Sequence, residues 1–316
     1  MSRGHAYALG ALAATLTALP AHARAPFPVA YAGSMGVVMD RALGPAFCRR
    51  HHCVYQGLGQ GAYGLARRIA AHALATDAFL AITPGPIRLL QKAHLVTRAI
   101  PIASTQMAIA YSTAGPYRAL FRRVREGLIP WYRALETPGV RFGRTDPRTD
   151  PQGRNIVFTL QLAARYYHKP GLARAILGPL INTRQIFSEP TLLARLEAGQ
   201  IAASSTYLSA ARSLHLSAIR LPAPINLSDP ALATRWYRQA RLVFEQKGVR
   251  RIVHPQPLVF YAAVPEDAPD PALGRAFLRF LISPAGQKRL RQAGYGPPLG
   301  AALTAPRAPS TRRRSP

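Results

Sequence analysis

A repeated order of strand, glycine-rich turn and helix in the first third of the chain does most to limit the fold. Residues 29–32 form a short apolar strand, residues 33–34 form a Gly-Ser turn, and apolar side chains at helical spacing follow. The segment CVYQGLGQGAYGLARRI repeats this order, and ATDAFLAI with PGPIRLL begins it a third time. Alternating strands and helices predict a parallel sheet flanked by helices.

The turns after the first two strands lie where an anion-binding site is expected. Backbone N–H groups and the positive ends of helices meet at the carboxyl edge of a parallel sheet. Ser34 lies in the first turn and is a candidate ligand, although a serine there also commonly caps its helix. GLGQGA fits a dinucleotide fingerprint, but that motif needs an acidic residue at the end of the next strand, and Asp77 begins its strand. A nucleotide site is therefore not expected.

The first turn also suggests an enzymatic alternative. AGSMG resembles the nucleophile elbow of serine hydrolases with its first glycine replaced by alanine. An esterase-like hydrolase would use Ser34 as its nucleophile and needs a histidine, for which His254 is available. Because Ser34 follows the first strand, where that fold does not place its nucleophile, the sequence favours a binding site.

The charge of the chain first suggests nucleic acid as a partner. There are 41 Lys and Arg against 13 Asp and Glu, which gives a formal net charge of +28. The cationic residues are nearly all arginine, and they are scattered along the chain instead of lying on one helix or stripe. Nucleic-acid binding needs a clustered basic surface, so no nucleic-acid partner is predicted.

The amino terminus has the pattern of a secretory signal. Arg3 and His5 precede the apolar segment AYALGALAATLTAL, which small residues around Ala23 follow. We predict a signal peptide over residues 1–23, cleaved after Ala23. No later segment has the ~18 uninterrupted apolar residues of a membrane span. The mature chain is therefore expected to be a soluble, periplasmic protein.

Export of the chain affects the expected oxidation state of the two cysteines in FCRRHHC. In an oxidising compartment, Cys48 and Cys53 are close enough in sequence to form a small-loop disulfide, and the pattern favours this pairing. Free thiols are one alternative. A metal site with His51 and His52 is another, although four ligands within so short a segment can hardly surround a tetrahedral ion.

The chain changes character near residue 100. IPIASTQMAIAYS is predicted as one long strand, and strands and helices of a separate unit follow it. Near its end the chain returns with a strand, an acidic turn and a helix that contains FLRFLI. Two crossings between two lobes would leave a cleft at the hinge. The predicted divisions are lobe 1 at residues 26–106 and 254–302, lobe 2 at residues 107–253, and a disordered basic tail at residues 303–316.

Six segments, in order, carry a family resemblance: AYAGSM, GQGAYGLARRI, GRTDPRTDPQG, LEAGQIAASSTYLSA, LPAPINLSDP and FLRFLISPAGQKRLRQAGYGPPL. The chain resembles the periplasmic tungstate/molybdate-binding proteins of ABC importers, especially the archaeal type, over nearly its whole mature length. The resemblance implies the α/β type II periplasmic-binding fold, with two lobes that each contain a central mixed sheet flanked by helices and a ligand cleft at the hinge. It implies a monomer without cofactor or catalysis, which delivers an oxyanion to a permease in the inner membrane.

The resemblance also assigns ligand contacts by position. Ser34 would donate its hydroxyl and a backbone N–H, and Tyr207 would donate its hydroxyl. Ala62, Gln152 and Glu189 would each donate a backbone N–H; Ala62 stands where a serine is common. In the archaeal type an aspartate and a glutamate approach the metal atom of the oxyanion itself.

The acidic turn GRTDPRTDPQGRN is the matching segment for that aspartate, between a strand end at residues 140–142 and a helix expected at residues 155–167. Asp150 is the better match and Asp146 the second, although an aspartate before proline also commonly caps a helix or braces a turn. Arg144 and Arg154 flank the turn and are expected to be solvated or paired with these aspartates.

The matched glutamate is replaced by Thr206, which has no anionic oxygen. This departure leaves sulfate, phosphate or an organic anion open as alternative ligands.

Overall fold

The computed structural model of the protein describes residues 24–246 and 249–306. The predicted signal peptide, its cleavage site and residues 307–316 of the predicted tail lie outside the described residues. Residues 303–304, which the prediction assigned to the disordered tail, form a short strand. Within the described residues, no helix is long and apolar enough to cross a membrane.

The strands are β1 (Pro26–Ala32), β2 (Val54–Gln60), β3 (Ala78–Ile82), β4 (Arg98–Ser104), β5 (Met107–Tyr111), β6 (Phe142–Gly143), β7 (Ala203–Tyr207), β8 (Ala218–Arg220), β9 (Leu242–Gln246), β10 (Val249–Val253), β11 (Val259–Ala263) and β12 (Leu303–Thr304). The α-helices are α1 (Gly36–Val38), α2 (Gly44–His51), α3 (Ala62–Ala70), α4 (Pro84–Lys92), α5 (Arg118–Arg125), α6 (Trp131–Glu136), α7 (Pro151–Tyr166), α8 (Leu172–Leu177), α9 (Glu189–Glu197), α10 (Leu208–Ser213), α11 (Ala223–Asn226), α12 (Pro271–Ile282) and α13 (Pro284–Gln292). Short 3₁₀ segments lie at Gly33–Met35, Pro230–Leu232 and Tyr237–Gln239, and a π-helical turn lies at Met39–Leu43.

The first sheet has six strands in the order β12-β4-β11-β3-β1-β2. β1 runs parallel to both β2 and β3, as the strand–turn–helix repeats predict. β11 enters late in the sequence and pairs antiparallel with β3 and β4, which makes the sheet mixed. The carboxyl ends of β1 and β2 therefore lie side by side, with the Gly-Ser turn after β1 and Gly61 after β2 at one edge. The expected glycine-rich turn is shorter than predicted, because residues 57–60 belong to β2.

The second sheet has four strands in the order β6-β7-β5-β8. β5 pairs antiparallel with β7 and β8, and β6 runs parallel to β7. The 16-residue helix α7 packs against this sheet and is buried along most of its length. A separate antiparallel hairpin of β9 and β10 packs beside α7.

The prediction of one long strand in IPIASTQMAIAYS is wrong. β4 ends at Ser104 in the first sheet and β5 begins at Met107 in the second. A second crossing follows β10 and leads back to β11. Both strands are apolar because each is largely buried, so hydrophobicity continues through the point where the chain changes sheets.

The helix expected at residues 155–167 begins four residues earlier, at Pro151. Proline is favourable at the first helical position because its missing N–H has no partner there in any case. Asp150 is the N-cap, and its side chain accepts a hydrogen bond from the N–H of Gln152. The acidic turn therefore leads directly into α7, and its last residues, 151–155, form the first part of that helix.

The core of the first unit contains a cluster of buried aromatic rings at the end of α2. The ring centroid of Phe47 lies 5.0 Å from those of both Phe27 and Phe277. A disulfide between Cys48 and Cys53 joins the end of α2 to the start of β2. His52, within this short loop, adopts a left-handed conformation with φ of 53°. These contacts fix the strand–turn–helix unit that presents Ser34.

Candidate functional site

A cleft of about 950 Å³ lies between elements of the two sheets. The first unit contributes the turns after β1 and β2, and the second contributes the acidic turn, the start of α9 and the end of β7. Six of the residues assigned by resemblance line it: Ser34, Asp146, Asp150, Gln152, Glu189 and Thr206. Ala62 and Tyr207 do not line it, and each has a residue exposure of only 1%.

Ser34 lies in the 3₁₀ turn directly after β1. Its carbonyl oxygen accepts a hydrogen bond of 3.0 Å from the Tyr295 hydroxyl, which fixes the turn from behind. No side chain caps the helical segments that begin here, so the helix-capping role considered for Ser34 is not observed in this part of the structure. The Ser34 hydroxyl therefore accepts no capping hydrogen bond, and Ser34 lines the cleft.

The turn after β2 packs directly against the acidic turn. The N–H of Gly64 donates to the carbonyl oxygens of Gly61 and Thr149. A Cβ atom on Gly61 would lie 3.0 Å from the Thr149 oxygen, so glycine permits this close approach. Ala62 begins α3 beside this contact.

Asp150 combines a capping role with a buried carboxyl. Its Oδ1 accepts the Gln152 N–H at 2.9 Å, so the N–H that the resemblance assigns to the ligand is donated to Asp150 here. Burial raises the pKa of Asp150 to about 6, and the charge of Asp146 adds to the shift. The Gln152 side chain donates to the carbonyl oxygen of Ser205, and its own Oε1 has no partner.

Asp146 is engaged by its neighbour Arg148. The guanidinium contacts both carboxylate oxygens, with a shortest distance of 2.7 Å, and the Arg148 N–H donates to Oδ1. Burial opposes ionisation, but the hydrogen bonds and charge of Arg148 hold the pKa of Asp146 below its usual value. Asp146 thus braces the turn.

The expectation that Arg144 and Arg154 are solvated or paired with Asp146 and Asp150 is wrong. Arg144 is fully buried and donates to the carbonyl oxygens of Pro179 and Leu180 and to the Gln185 side chain. Arg154 stacks on aromatic rings and donates to the Pro147 carbonyl oxygen at 2.7 Å. Neither forms an ion pair with Asp146 or Asp150. Backbone carbonyls and rings can satisfy a guanidinium, which sequence neighbours alone do not reveal.

Glu189 is the first residue of α9, and its carboxyl group reaches across the cleft. A Cβ atom on Gly33 would collide with Oε2 of Glu189, so the carboxylate lies directly against the first turn. Burial, and then the charge of Asp150, raises the pKa of Glu189 well above its usual value. The carboxyls of Glu189 and Asp150 therefore belong to one electrostatic site.

Tyr207 and Thr206 lie at the end of β7. The Tyr207 hydroxyl accepts a 3.0 Å hydrogen bond from the Asn155 side chain. Burial, followed by the charge of Asp150, raises the pKa of Tyr207 well above its usual value. The Thr206 hydroxyl donates to the carbonyl oxygen of Tyr207 at 3.2 Å.

Sequence reasoning missed several polar groups of the cleft wall, among them Thr145 and Ser205. The Thr145 hydroxyl lies beside the Asp150 carboxyl, and the buried Ser205 hydroxyl has no hydrogen-bond partner within the described residues. A signal existed for Ser205, because all five residues of β7 are buried although its sequence is ASSTY. Buried hydroxyls need partners, so a polar strand inside a sheet indicates a polar cavity.

The charge of the cleft is opposite to that of the chain. Among the described residues, its lining includes Asp40, Asp146, Asp150 and Glu189 but no Lys, Arg or His. Asp40 accepts hydrogen bonds from the hydroxyls of Tyr31 and Tyr55. The described chain has no group of three or more His, Cys, Asp and Glu side chains that could hold a metal ion.

The hydrolase alternative required a hydrogen bond between Ser34 and His254. The His254 ring nitrogen instead lies 2.9 Å from the carbonyl oxygen of Ala240, and His254 does not line the cleft. Among the described residues, no hydrogen bond joins the two side chains.

Residues 27–296 match the sequence profile of a family described as bacterial extracellular solute-binding proteins. The chain belongs to this family. An uncharacterized solute-binding protein of Petrotoga mobilis is 29% identical over 208 residues, which are 64% of this chain and 62% of that protein. The molybdate/tungstate-binding protein WtpA of Pyrococcus abyssi is 29% identical over 209 residues, 60% of this chain and 59% of that protein. The chain thus spans about three fifths of these relatives' length.

A solved structure gives the same fold. The periplasmic molybdate-binding protein of Azotobacter vinelandii aligns with a TM-score of 0.62 and 12% identity, covering 86% of this chain and all of that chain (100%). The predicted fold class, a periplasmic-binding fold with mixed sheets flanked by helices, is confirmed. The resemblance to solute-binding proteins is confirmed by the family match.

Proposed function

We propose that this protein is the exported solute-binding component of an ABC importer, and that it captures tungstate or molybdate in the cleft and delivers it to a permease in the inner membrane. The observation that carries the proposal is the convergence of Ser34, Asp150, Gln152 and Glu189 on one cleft, from three separate segments: the turn after β1, the start of α7 and the start of α9. The name of the Pyrococcus abyssi relative supports the choice of ligand.

Neutral donors would hold the oxyanion. Ser34 offers its hydroxyl, Ser205 has a hydroxyl without a partner within the described residues, and the turn after β1 presents backbone N–H groups. A dehydrated anion is tolerated when each oxygen receives hydrogen bonds inside a closed cleft. Tyr207 lies behind this wall and would fix it through Asn155.

Besides Asp150, a second carboxylate would approach the metal atom of the oxyanion. It would come from Glu189 and not from position 206. Glu189 lies against Gly33 and shares an electrostatic site with Asp150, whereas the Thr206 hydroxyl is bonded to the backbone. The cap uses only Oδ1 of Asp150, which leaves Oδ2 for the ligand. Two carboxylates repel sulfate or phosphate, but they can approach a large, Lewis-acidic molybdenum or tungsten atom. This favours a metal oxyanion over the other anions.

The remaining features complete the proposal. The predicted signal peptide and the match to an extracellular family support a periplasmic location for the mature protein. Two chain crossings, between β4 and β5 and between β10 and β11, support lobes at residues 26–106 with 254–302 and at residues 107–253. The protein would act as a monomer without catalysis, cofactor or nucleic acid.

The experiment that tests the proposal is a thermal-stability titration of the mature chain with tungstate, molybdate, sulfate and phosphate. A ligand at ~100 times its dissociation constant adds about 2.7 kcal/mol to the free energy of unfolding. We expect a shift with tungstate or molybdate alone, and a smaller shift in the Ser34→Ala variant. A shift with none of the four anions contradicts the proposal.

The alternative ligand, a sulfate, phosphate or organic anion, rests on Thr206 and on the size of the cleft. A shift with sulfate or phosphate that equals or exceeds the shift with tungstate would favour it.

A further inference from the structure

Beside the cleft, a half-buried arginine joins the two units. Arg154 lies on α7, which packs on the second sheet, and its Cζ is 3.7 Å from the ring centroid of Tyr63 on α3. The same Cζ is 4.6 Å from the ring centroid of Phe244 on β9. We call Tyr63, Arg154 and Phe244 the aromatic latch.

Tyr63 and Arg154 are each held within their own unit. The hydroxyl of Tyr63 lies against Gly85 at the start of α4, where a Cβ atom would collide with it. The Nε of Arg154 donates to the Pro147 carbonyl oxygen at 2.7 Å, and Nη2 is 3.4 Å from the carbonyl oxygen of Arg148. The stack therefore transmits force between α3 and the acidic turn.

The other contacts of α3 with the acidic turn are weaker. Arg67 donates to the Arg148 carbonyl oxygen at 3.4 Å, and the Gly64 N–H donates to that of Thr149 at 3.3 Å. A guanidinium stacked on an aromatic ring contributes about 0.5 to 2 kcal/mol, more as the pair is desolvated. Burial lowers the pKa of Arg154, which shows how far its guanidinium is removed from water.

We propose that the stack of Arg154 on Tyr63 is a closure latch, which holds the acidic turn against α3 and sets the rate at which a bound anion leaves the cleft. Asp150 and Gln152 lie four and two residues before Arg154, so separation of the stack moves the floor of the cleft away from Ser34. The part that concerns anion release rests on the proposed function, and the closure itself does not.

The chain offers matched variants. Tyr63→Leu removes the ring, and Tyr63→Phe keeps it. Arg154→Met removes the guanidinium from the stack, and Arg165→Met removes an exposed arginine from the same helix. The readouts are tungstate association and dissociation rates by stopped flow, and the distance between spin labels in Lys92→Cys/Arg174→Cys proteins by pulsed electron resonance.

Tyr63→Leu and Arg154→Met are expected to release tungstate about three- to tenfold faster with an almost unchanged association rate, because loss of the stack acts on dissociation. Both should widen the distance distribution without ligand. Tyr63→Phe and Arg165→Met should match the parent protein.

Equal release rates in all variants overturn the latch, and so do changes in Arg165→Met as large as those in Arg154→Met. If the parent protein binds none of the oxyanions, the proposed function fails. The spin-label distances measured without ligand still test whether the stack holds the two units together. A distribution that is the same in Tyr63→Leu and Tyr63→Phe overturns closure by the stack.

Discussion

At the scale of single residues, Asp150 has two tasks with different requirements. The cap needs an oxygen acceptor and the buried position disfavours a charge. Burial raises its pKa from 3.8 to about 6, so the folded chain binds the proton more tightly than the unfolded chain does. The contribution of Asp150 to the free energy of unfolding is therefore most favourable below about pH 4 and becomes less favourable as the pH rises towards 6.

Asp150→Asn should remove this penalty and keep the cap. We expect its free energy of unfolding to exceed that of the parent by roughly 2 to 3 kcal/mol at about pH 7, and to match it near pH 3.5. Asp150→Ala loses the cap as well and should be about 1 kcal/mol less stable than Asp150→Asn. Urea unfolding at both pH values measures this. An asparagine variant that is less stable at the higher pH would show that neighbouring groups compensate the charge.

The second carboxylate of the cleft can be assigned by a pair of substitutions. Glu189→Gln should weaken tungstate binding at least about tenfold, because a charged contact to the ligand becomes a neutral one. Thr206→Val should change the affinity less than about threefold, since the Thr206 hydroxyl bonds to the backbone. Titration calorimetry measures both, with Glu197→Gln at the far end of α9 as the control. If Thr206→Val weakened tungstate binding more than Glu189→Gln did, position 206 and not Glu189 would contact the ligand.

At the scale of elements, histidine replaces glycine at several helix ends. Five histidines lie one or two positions beyond the last residue of a helix, and all have φ between 52° and 58°: His52, His72, His94, His168 and His215. A residue with a Cβ in this left-handed region costs roughly 1 kcal/mol relative to glycine. Because histidine is a weaker signal of a helix end than glycine, these helix ends lack the usual mark, although the expected helix end at residue 167 lies within one residue of the observed end of α7 at Tyr166.

His94→Gly should therefore stabilise the protein. His94 is exposed after α4, and its φ of 58° suits glycine. We expect a gain of about 1 kcal/mol in the free energy of unfolding, and almost none for His94→Ala, which keeps the Cβ. Thermal unfolding of the two variants compares them. An equal effect would mean that the imidazole, and not the backbone conformation, sets the stability here.

The elements that sequence reasoning recovered are those with a local signal. β1, the start of β2 and β3 follow from short apolar runs, whereas the glycines at positions 57 and 59, which were expected in a turn, lie within β2. The split between β4 and β5 has no such signal, since Thr105 and Gln106 alone separate two apolar strands. Arg144 is buried against residues 179–187, which fold back and hydrogen-bond with it, and the sequence near Arg144 does not indicate this contact.

At the scale of the whole molecule, the field of the chain and the lining of the cleft have opposite signs. The formal net charge is +28, yet the described lining of the cleft has four acids and no basic side chain. The sequence predicts the net positive charge but not the acidic lining of the cleft, because the position of the two sheets relative to each other determines which residues line it. A positive molecule attracts a dianion from a distance, while neutral donors hold it once bound.

This division predicts a difference between the two rates of tungstate binding. Raising the ionic strength from about 0.02 M to about 0.5 M should lower the association rate constant roughly tenfold, because salt screens the long-range attraction. The dissociation rate constant should change less than about twofold, since no cationic side chain in the described cleft pairs with the ligand. Stopped-flow measurements at several concentrations of NaCl separate the rates, and a neutral osmolyte at matched osmolality is the control. If salt instead accelerates dissociation and leaves association unchanged, an arginine outside the described lining must close onto the bound anion.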